Sequence, residues 1–344
     1  MSVGVGVVGL GYWGPNVARN LNVIDDAALR WCCELDPARR ERWSQVFPNA
    51  RFTDDLDEML ADPELDAVAI TAPTRDHAAV ASRALEAGKH CYVEKPLTHS
   101  VADAAELVRK AEEKGLVLVV GHLLEYHPAI EALEGELRSG GLGELVYIYS
   151  NRVNLGKLSE DENALWDLGV HDLSVILRLA GEMPTEAWAH GRWGVREGHE
   201  DVVFAHLRFP SGLTAHMHLS WLDPHKERRI TVVGSGRMAV FDDMAHEGKL
   251  TLYDKGFDPD EASVGDFVAR SGEITKPAIS GKEPLRIECE HWVECINKGG
   301  RPRTDGHSGL RVVRVLEALQ ESLQSDGERR PVPVDPLAAP APAP

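Results

Sequence analysis

The sequence predicts an α/β domain built on a doubly wound parallel sheet, followed by an α+β domain with a large, mostly antiparallel open sheet. Three observations predict it. Short apolar runs alternate with amphipathic stretches over the first third of the chain. A glycine-rich turn, Gly9-Leu10-Gly11-Tyr12-Trp13-Gly14, follows the first of these runs. Beyond about residue 121 the pattern changes to strand-like pieces joined by short turns.

The elements follow in order. Val3–Val8 is a Val/Gly run that ends in the glycine turn, and a helix over Asn16–Val23 opens just after Pro15, a residue tolerated in a first turn. Leu29–Glu34, Asp66–Ala72, His90–Glu94 and Leu116–Gly121 are four more apolar runs. Helical stretches lie between them at Pro37–Val46, Asp55–Leu60, His77–Ala87 and Val101–Lys114. Apolar runs without strict alternation fit strands covered on both faces. A helix over Pro128–Arg138 then ends at Ser139-Gly140-Gly141, and Glu144–Asn154 reads as a strand. Leu168–Leu179 reads as a helix. Strand-like pieces follow at Glu186–Trp193, Asp201–Phe209, Leu213–Leu219, Arg229–Val233 and Met238–Phe241, joined by turns such as Pro210-Ser211-Gly212 and Gly234-Ser235-Gly236. Arg311–Leu323 is a final helix. The expected organisation is a dinucleotide-binding domain over 1–121, a substrate-binding and oligomerisation domain over 122–330 and a flexible Ala/Pro-rich tail over 331–344.

Composition limits the function classes. The 344 residues suit two domains, and 43% hydrophobic with 27% charged residues is ordinary for a globular chain. A net charge of −18 argues against nucleic acid and against anionic membranes as partners. Five sparse cysteines, two of them adjacent, do not make a disulfide framework. There is no apolar stretch of about 20 residues. The apolar N-terminus lacks a basic leader region. The expected location is the cytoplasm.

The glycine turn has the context that gives such a motif meaning. It joins a strand to a helix, and the acidic residue Glu34 lies 20 positions beyond Gly14, at the end of the second apolar run. This is the arrangement of a dinucleotide-binding Rossmann fold. Gly9 permits the tight turn, Gly11 lets the backbone approach a pyrophosphate, and Gly14 lets the helix pack close. The helix N-terminus favours phosphate. Glu34 would accept hydrogen bonds from the adenosine ribose and would repel a 2′-phosphate, which favours NAD. Arg39 and Arg40 keep NADP open as the alternative.

Two further segments carry chemistry. Glu94-Lys95-Pro96-Leu97 closes the fourth apolar run. Ligands of open parallel sheets bind at the carboxyl ends of the strands. A lysine there can donate to a substrate hydroxyl and stabilise a developing oxyanion; a salt bridge to a neighbour is the plainer role. In Trp166-Asp167-Leu168-Gly169-Val170-His171-Asp172, Asp167 and His171 are four apart and share a helix face. A carboxylate beside an imidazole raises its basicity, which suits a general base. Taken alone, the same pair also reads as a helix cap and a structural histidine.

Together these residues resemble the Gfo/Idh/MocA oxidoreductases. The resemblance rests on Gly9-x-Gly11-x-x-Gly14, Thr71-Ala72-Pro73-Thr74-x-x-His77, Glu94-Lys95-Pro96 and Asp167-x-x-x-His171, in that order, and spans almost the whole chain. It implies hydride transfer between a sugar carbon and a nicotinamide, with Lys95 and His171 in the proton chemistry and Asp167 supporting them. It also implies that Tyr12, Trp13, Thr71, Pro73, Thr74, His77 and Glu94 line the cofactor. Three segments, Tyr149–Lys157, Leu165-Trp166-Asp167 and Pro284–His291, resemble the branch that oxidises the 3-hydroxyl of UDP-N-acetylglucosamine or its uronic acid. Ser174, where many relatives carry a second acid, departs from the pattern and bears on sugar specificity. A nucleotide sugar needs cations, and Arg152 and Lys157 are candidates, with Arg228 and Arg229 behind them. Tyr126 and Asn154 are candidate hydrogen-bonding partners of the sugar.

Other classes find less support. Cys289, His291 and Cys295 do not have zinc spacing, so no metal is expected. His216 and His218 share one strand face without a nearby third ligand. No Gly-x-Ser-x-Gly or Walker loop is present. An inositol or free-sugar dehydrogenase is the alternative within the class, and a non-catalytic NAD-binding sensor or partner protein is the alternative outside it. An open sheet exposes a face that relatives cover by pairing, so a homodimer or homotetramer is expected.

Overall fold

The computed structural model describes residues 2–156, 158–159, 161–259 and 266–333. Contacts divide the chain into two units, Met1–Tyr126 with Lys282–Arg314, and His127–Gly281 with Val315–Pro344. The boundary expected after residue 121 therefore lies at Tyr126, and a segment expected in the second domain belongs to the first. The cause is apolar burial. Leu285, Cys289, Trp292 and Val293 of the helix Pro284–Lys298 share one core with Val3, Val5, Val7, Val17 and Leu21.

The first unit begins β1 (Val3–Val8), α1 (Gly14–Leu21), β2 (Ala27–Cys33), α2 (Pro37–Val46), β3 (Arg51–Thr53) and α3 (Leu56–Leu60). It continues β4 (Ala67–Ile70), α4 (Thr74–Glu86), β5 (His90–Glu94), α5 (Val101–Glu113), β6 (Leu118–Gly121) and a 3₁₀ turn (Leu123–Tyr126). The strands lie in the order β3-β2-β1-β4-β5-β6, all parallel. The winding reverses between β1 and β4, the switch point at which such sheets bind ligands. Every residue of β1, β4 and β6 is buried, so the apolar runs mark strands covered on both faces. Capping sets the helix starts: Asp36 accepts from the Ala38 and Arg39 N–H groups, and Ser100 from that of Asp103. The short strand β3 was not evident in the sequence.

The second unit opens with α6 (Pro128–Arg138), β7 (Leu145–Leu155), a π-helical turn (Leu165–Gly169), α7 (Val170–Ala180), β8 (Glu186–Arg192), β9 (Val202–Arg208) and β10 (Thr214–Ser220). It continues through β11 (Leu222–Gly234), β12 (Met238–Asp242), β13 (Leu250–Pro259) and β14 (Phe267–Thr275). Next come α8 (Pro284–Lys298, of the first unit), α9 (Gly306–Leu323, divided between the two) and β15 (Arg330–Pro331). The nine strands lie in the order β14-β13-β12-β11-β7-β10-β9-β8-β15; only β7 and β10 pair in parallel. Alternation along β9 and β10 buries Val203, Ala205, Leu207, Ala215, Met217 and Leu219 and leaves the other face open. On that face Tyr147, Tyr149 and His216 stack in series, Trp188 stacks on His206, and Arg329 lies over Trp188. Where the tail was expected from residue 331, Arg330 and Pro331 pair with β8 and Val332 is buried. Residues 334–344 lie outside the described residues.

Candidate active site

In the first unit the glycine loop sits at the carboxyl end of β1. Gly9 has φ +90°, and a Cβ there would lie 2.9 Å from Ala72 N. A Cβ on Gly14 would lie 2.0 Å from the Gly9 carbonyl oxygen, so this glycine is required by packing. Gly11 differs. A Cβ there would meet only Arg39 Nη1, at 3.7 Å. Nothing in the fold demands a glycine at Gly11, and the open space above it suits a close-approaching phosphate. Thr71 holds the loop: its hydroxyl lies 2.6 Å from the Gly9 carbonyl, to which it donates, and 3.1 Å from that of Val8. Tyr12 is almost fully exposed beside it. Pro73 and Thr74 form the start of α4, at the carboxyl end of β4.

Glu34 follows β2 and is buried. Its carboxylate accepts from the N–H groups of Leu10 (2.6 Å) and Asp36 (3.0 Å), so it fastens the glycine loop. Arg40 is occupied by the Glu34 and Leu35 carbonyls and by Asp54. Arg39 is half exposed, 3.4 Å from Asp36 and 3.9 Å from Glu34. His77 is buried, and its two ring nitrogens lie 2.9 Å from the carbonyls of Pro96 and Ala72. It ties the loop after β4 to the Glu-Lys-Pro segment, which makes it a brace behind the lining expected of it.

Glu94 ends β5, Lys95 follows it, and the Lys95–Pro96 bond is cis. Glu94 accepts from its neighbour's N–H (Lys95, 3.2 Å) and from the Tyr92 hydroxyl (3.0 Å), and the Trp13 indole lies near it. Burial raises its pKa, and the Tyr92, Lys95 and Trp13 groups around it offset only part of that rise. His122, just past β6, is buried with no partner for either ring nitrogen among the described residues. Burial, then the charges of Lys95 and Arg311, push its pKa down to about 3, so it stays neutral beside the lysine.

In the second unit Asp167 lies on the π-turn and His171 one turn on, in α7. The uniform helix expected over Leu168–Leu179 thus opens with a wider turn, a local geometry frequent at functional sites. The Trp221 indole donates to Asp167 (3.3 Å), and both Asp167 and His171 are partly exposed. Ser174 is buried, and its hydroxyl donates to the His171 carbonyl at 3.0 Å.

Two substrate candidates have partners within the fold. Arg152 is buried and bound through Nε (2.9 Å) and Nη2 (2.6 Å) to Asp172, where it neutralises a core acid. Tyr126 is fully buried, with its hydroxyl 3.2 Å from both Thr304 and His291. Arg228 and Arg229 are paired to Asp243, Glu227 and Asp242. Asn154 remains half-buried on β7, and Lys157 lies outside the described residues. Sequence reasoning passed over Tyr92, His122 and the bond between Tyr92 and Glu288 (3.1 Å). The signal for Tyr92 was present: a tyrosine inside a strand buried on both faces needs a hydrogen-bonding partner.

A glycine loop at a switch point, an acid holding it and a lysine at the next strand end define a dinucleotide-dependent oxidoreductase. Gfo/Idh/MocA, described as an oxidoreductase family with an NAD-binding Rossmann fold, matches residues 3–122, and the family's C-terminal domain matches 131–240. The chain belongs to this family. A UDP-N-acetylglucosamine 3-dehydrogenase of Acidithiobacillus ferrooxidans is 32% identical over 323 residues, covering 93% of this chain and 97% of the relative. A scyllo-inositol 2-dehydrogenase (NAD(+)) of Bacillus subtilis is 26% identical over 309 residues, covering 86% of each. The solved UDP-N-acetylglucosamine 3-dehydrogenase GnnA of A. ferrooxidans superposes with a TM-score of 0.80 at 28% identity, covering 94% of this chain and 99% of that one. No helix among the described residues is long and apolar enough to cross a membrane.

Proposed function

We propose that this chain is an NAD-dependent dehydrogenase of a sugar hydroxyl, the 3-hydroxyl of a UDP-N-acetyl sugar or its uronic acid. The observation that carries the substrate is the 32% identity to a UDP-N-acetylglucosamine 3-dehydrogenase over nearly the whole of both chains. NAD is favoured over NADP because Glu34, held by Leu10 and Asp36, keeps an anion where a 2′-phosphate would sit.

The bound nicotinamide would supply the hydride acceptor. His171 accepts the proton of the sugar hydroxyl. Lys95 donates a hydrogen bond to the oxygen as charge develops on it. Asp167, held by Trp221, orients the imidazole. The open face of the nine-stranded sheet, with its stacked aromatic rings, suits a second copy of the chain, so the working form is a homodimer or homotetramer. Five buried, unpaired thiols are in keeping with a cytoplasmic setting.

The test is NADH production from a panel of UDP-sugars and free sugars, with NAD+ or NADP+. Production from a UDP-N-acetyl sugar with NAD+ supports the reading. A free polyol is the second reading, and the pairing of Arg152 with Asp172 favours it, because it removes one cation expected for the diphosphate. Turnover of inositols but no UDP-sugar would establish that reading. Tight NAD+ binding without turnover of any sugar would point to a sensor.

A further inference from the structure

Behind the glycine loop lies a chain of three side chains in which the protons can be counted. Tyr92 Oη is 3.0 Å from Glu94 Oε1 and 3.1 Å from Glu288 Oε2. A phenol has one hydrogen, so it donates to one carboxylate only; the second short contact needs a proton on the other acid. The surroundings decide which acid that is. Glu94 accepts from the Lys95 N–H, lies within hydrogen-bond reach of Tyr92, and has the Lys95 charge and the Trp13 indole near it. Glu288 is fully buried, and its other oxygen, Oε1, has no hydrogen-bond partner among the described residues. An ionised carboxylate in that position would be uncompensated, whereas a neutral acid meets its need with one bond. The groups facing Glu288 deepen the asymmetry: Glu94 and Tyr92 from β5, Glu125 from the 3₁₀ turn and Cys289 from its own helix include no cation. Burial, then Glu94, raise its pKa well above the carboxylate range.

We infer that Glu288 is a neutral acid that donates its proton to Tyr92 Oη, so that Tyr92 in turn donates to Glu94 and fixes Glu94 as the anion beside Trp13 of the glycine loop. Glu288 is thus a positioning residue, acting from α8 on a loop residue, Trp13, that lies 275 positions earlier in sequence. The function of the chain rests on the reading that this loop and Glu94 hold the dinucleotide; the count of protons does not. Gly121 leaves the room that the bridge occupies, since a Cβ there would lie 2.7 Å from Tyr92 Oη and 3.0 Å from Glu94 Oε1.

Infrared spectra of the full-length protein without nucleotide, at neutral pH, test the proton directly. The wild type should show the carbonyl stretch of a buried protonated carboxylic acid. That band should be lost in Glu288→Gln, whose amide still donates to Tyr92, and kept but shifted in Glu94→Gln. Persistence of the band in Glu288→Gln, or its loss in Glu94→Gln alone, would overturn the assignment. A second measurement follows the fluorescence of Trp13, taken as the difference from Trp13→Phe, against pH. The Glu94 transition should stay in place in Glu288→Gln and rise by about one unit in Tyr92→Phe and Gly121→Ala, which break the bridge. No movement in either bridge variant would overturn the positioning role. NAD+ affinity separates the two layers: if Glu94→Gln binds NAD+ as the wild type does while the infrared band behaves as expected, the cofactor reading of Glu94 fails and the proton assignment stands.

Discussion

Gly11 and Gly14 lie three residues apart in one loop, and adding a single methyl group to each should have opposite consequences. At Gly14 the new Cβ would sit 2.0 Å from a backbone oxygen and 2.7 Å from Thr71 Oγ1, in a part of the fold where nothing flexible can yield. Overpacking of this kind costs about 2–3 kcal/mol. For a unit of this size that lowers Tm by roughly 5–10 °C. At Gly11 the Cβ would meet only the end of a mobile arginine at 3.7 Å, so Gly11→Ala should change stability by less than about 1 kcal/mol, in either direction. The methyl group would instead stand where a pyrophosphate approaches the backbone. NAD+ affinity should fall at least tenfold, about 1.4 kcal/mol or more. Calorimetric unfolding and titration calorimetry with NAD+ read the two quantities separately. Wild-type affinity in Gly11→Ala would refute the assignment of Gly11 to the phosphate approach, and a Tm loss as large as that of Gly14→Ala would refute the steric reasoning.

Four other outcomes are expected. Lys95→Ala should cut turnover by roughly 10²–10⁴-fold with NAD+ affinity nearly intact, as steady-state kinetics and titration would show; near-normal turnover would remove Lys95 from the chemistry. Arg152→Ala should destabilise by about 3–5 kcal/mol in urea, because it strands Asp172 in the core, whereas a raised KM for a UDP-sugar at unchanged stability would restore Arg152 to the substrate. Glu34→Ala should weaken NAD+ binding about tenfold and narrow its preference over NADP+, because both the loop tie and the repelling charge go. His122 has its folded pKa lowered to about 3 from an ordinary 6.5, so its contribution to stability is complete above pH 6.5 and is lost as pH falls towards 3. At pH 4 that loss is about 3 kcal/mol by linkage, and His122→Phe should show a correspondingly shallower fall of stability between pH 6.5 and 4; parallel curves would contradict it.

What the sequence made legible follows from how locally each feature is determined. The strand His90–Glu94 ends where the sequence pattern places it, because a buried parallel strand is apolar throughout its length and stops at its first charge. The glycine loop was readable because Gly9 and Gly14 answer to backbone constraints within a few residues. The strands β13 and β14 escaped notice: their outer portions are exposed and charged, without the apolar alternation that marks a half-buried strand. Arg152 and Tyr126 stand in the sequence only as candidate substrate contacts, because residue type shows a capacity and not a partner. Their partners, Asp172 and Thr304, are brought to them only by the fold. The same holds for Glu288, which stood in plain view in the sequence but acquires its meaning from Tyr92.

The return of α8 to the first unit has a consequence for synthesis. Trp292 is among the largest fully buried side chains in the molecule, and it lies in the core that β1 begins. A chain leaving the ribosome therefore carries an unfinished first unit while all of His127–Gly281 is being made. At about 5–20 residues per second that interval lasts roughly ten to thirty seconds. During it the surfaces of Val17, Leu21 and Tyr92 that await α8 stay uncovered, a window in which chaperones would bind and in which a truncated chain, ending short of Trp292, would be taken by proteases.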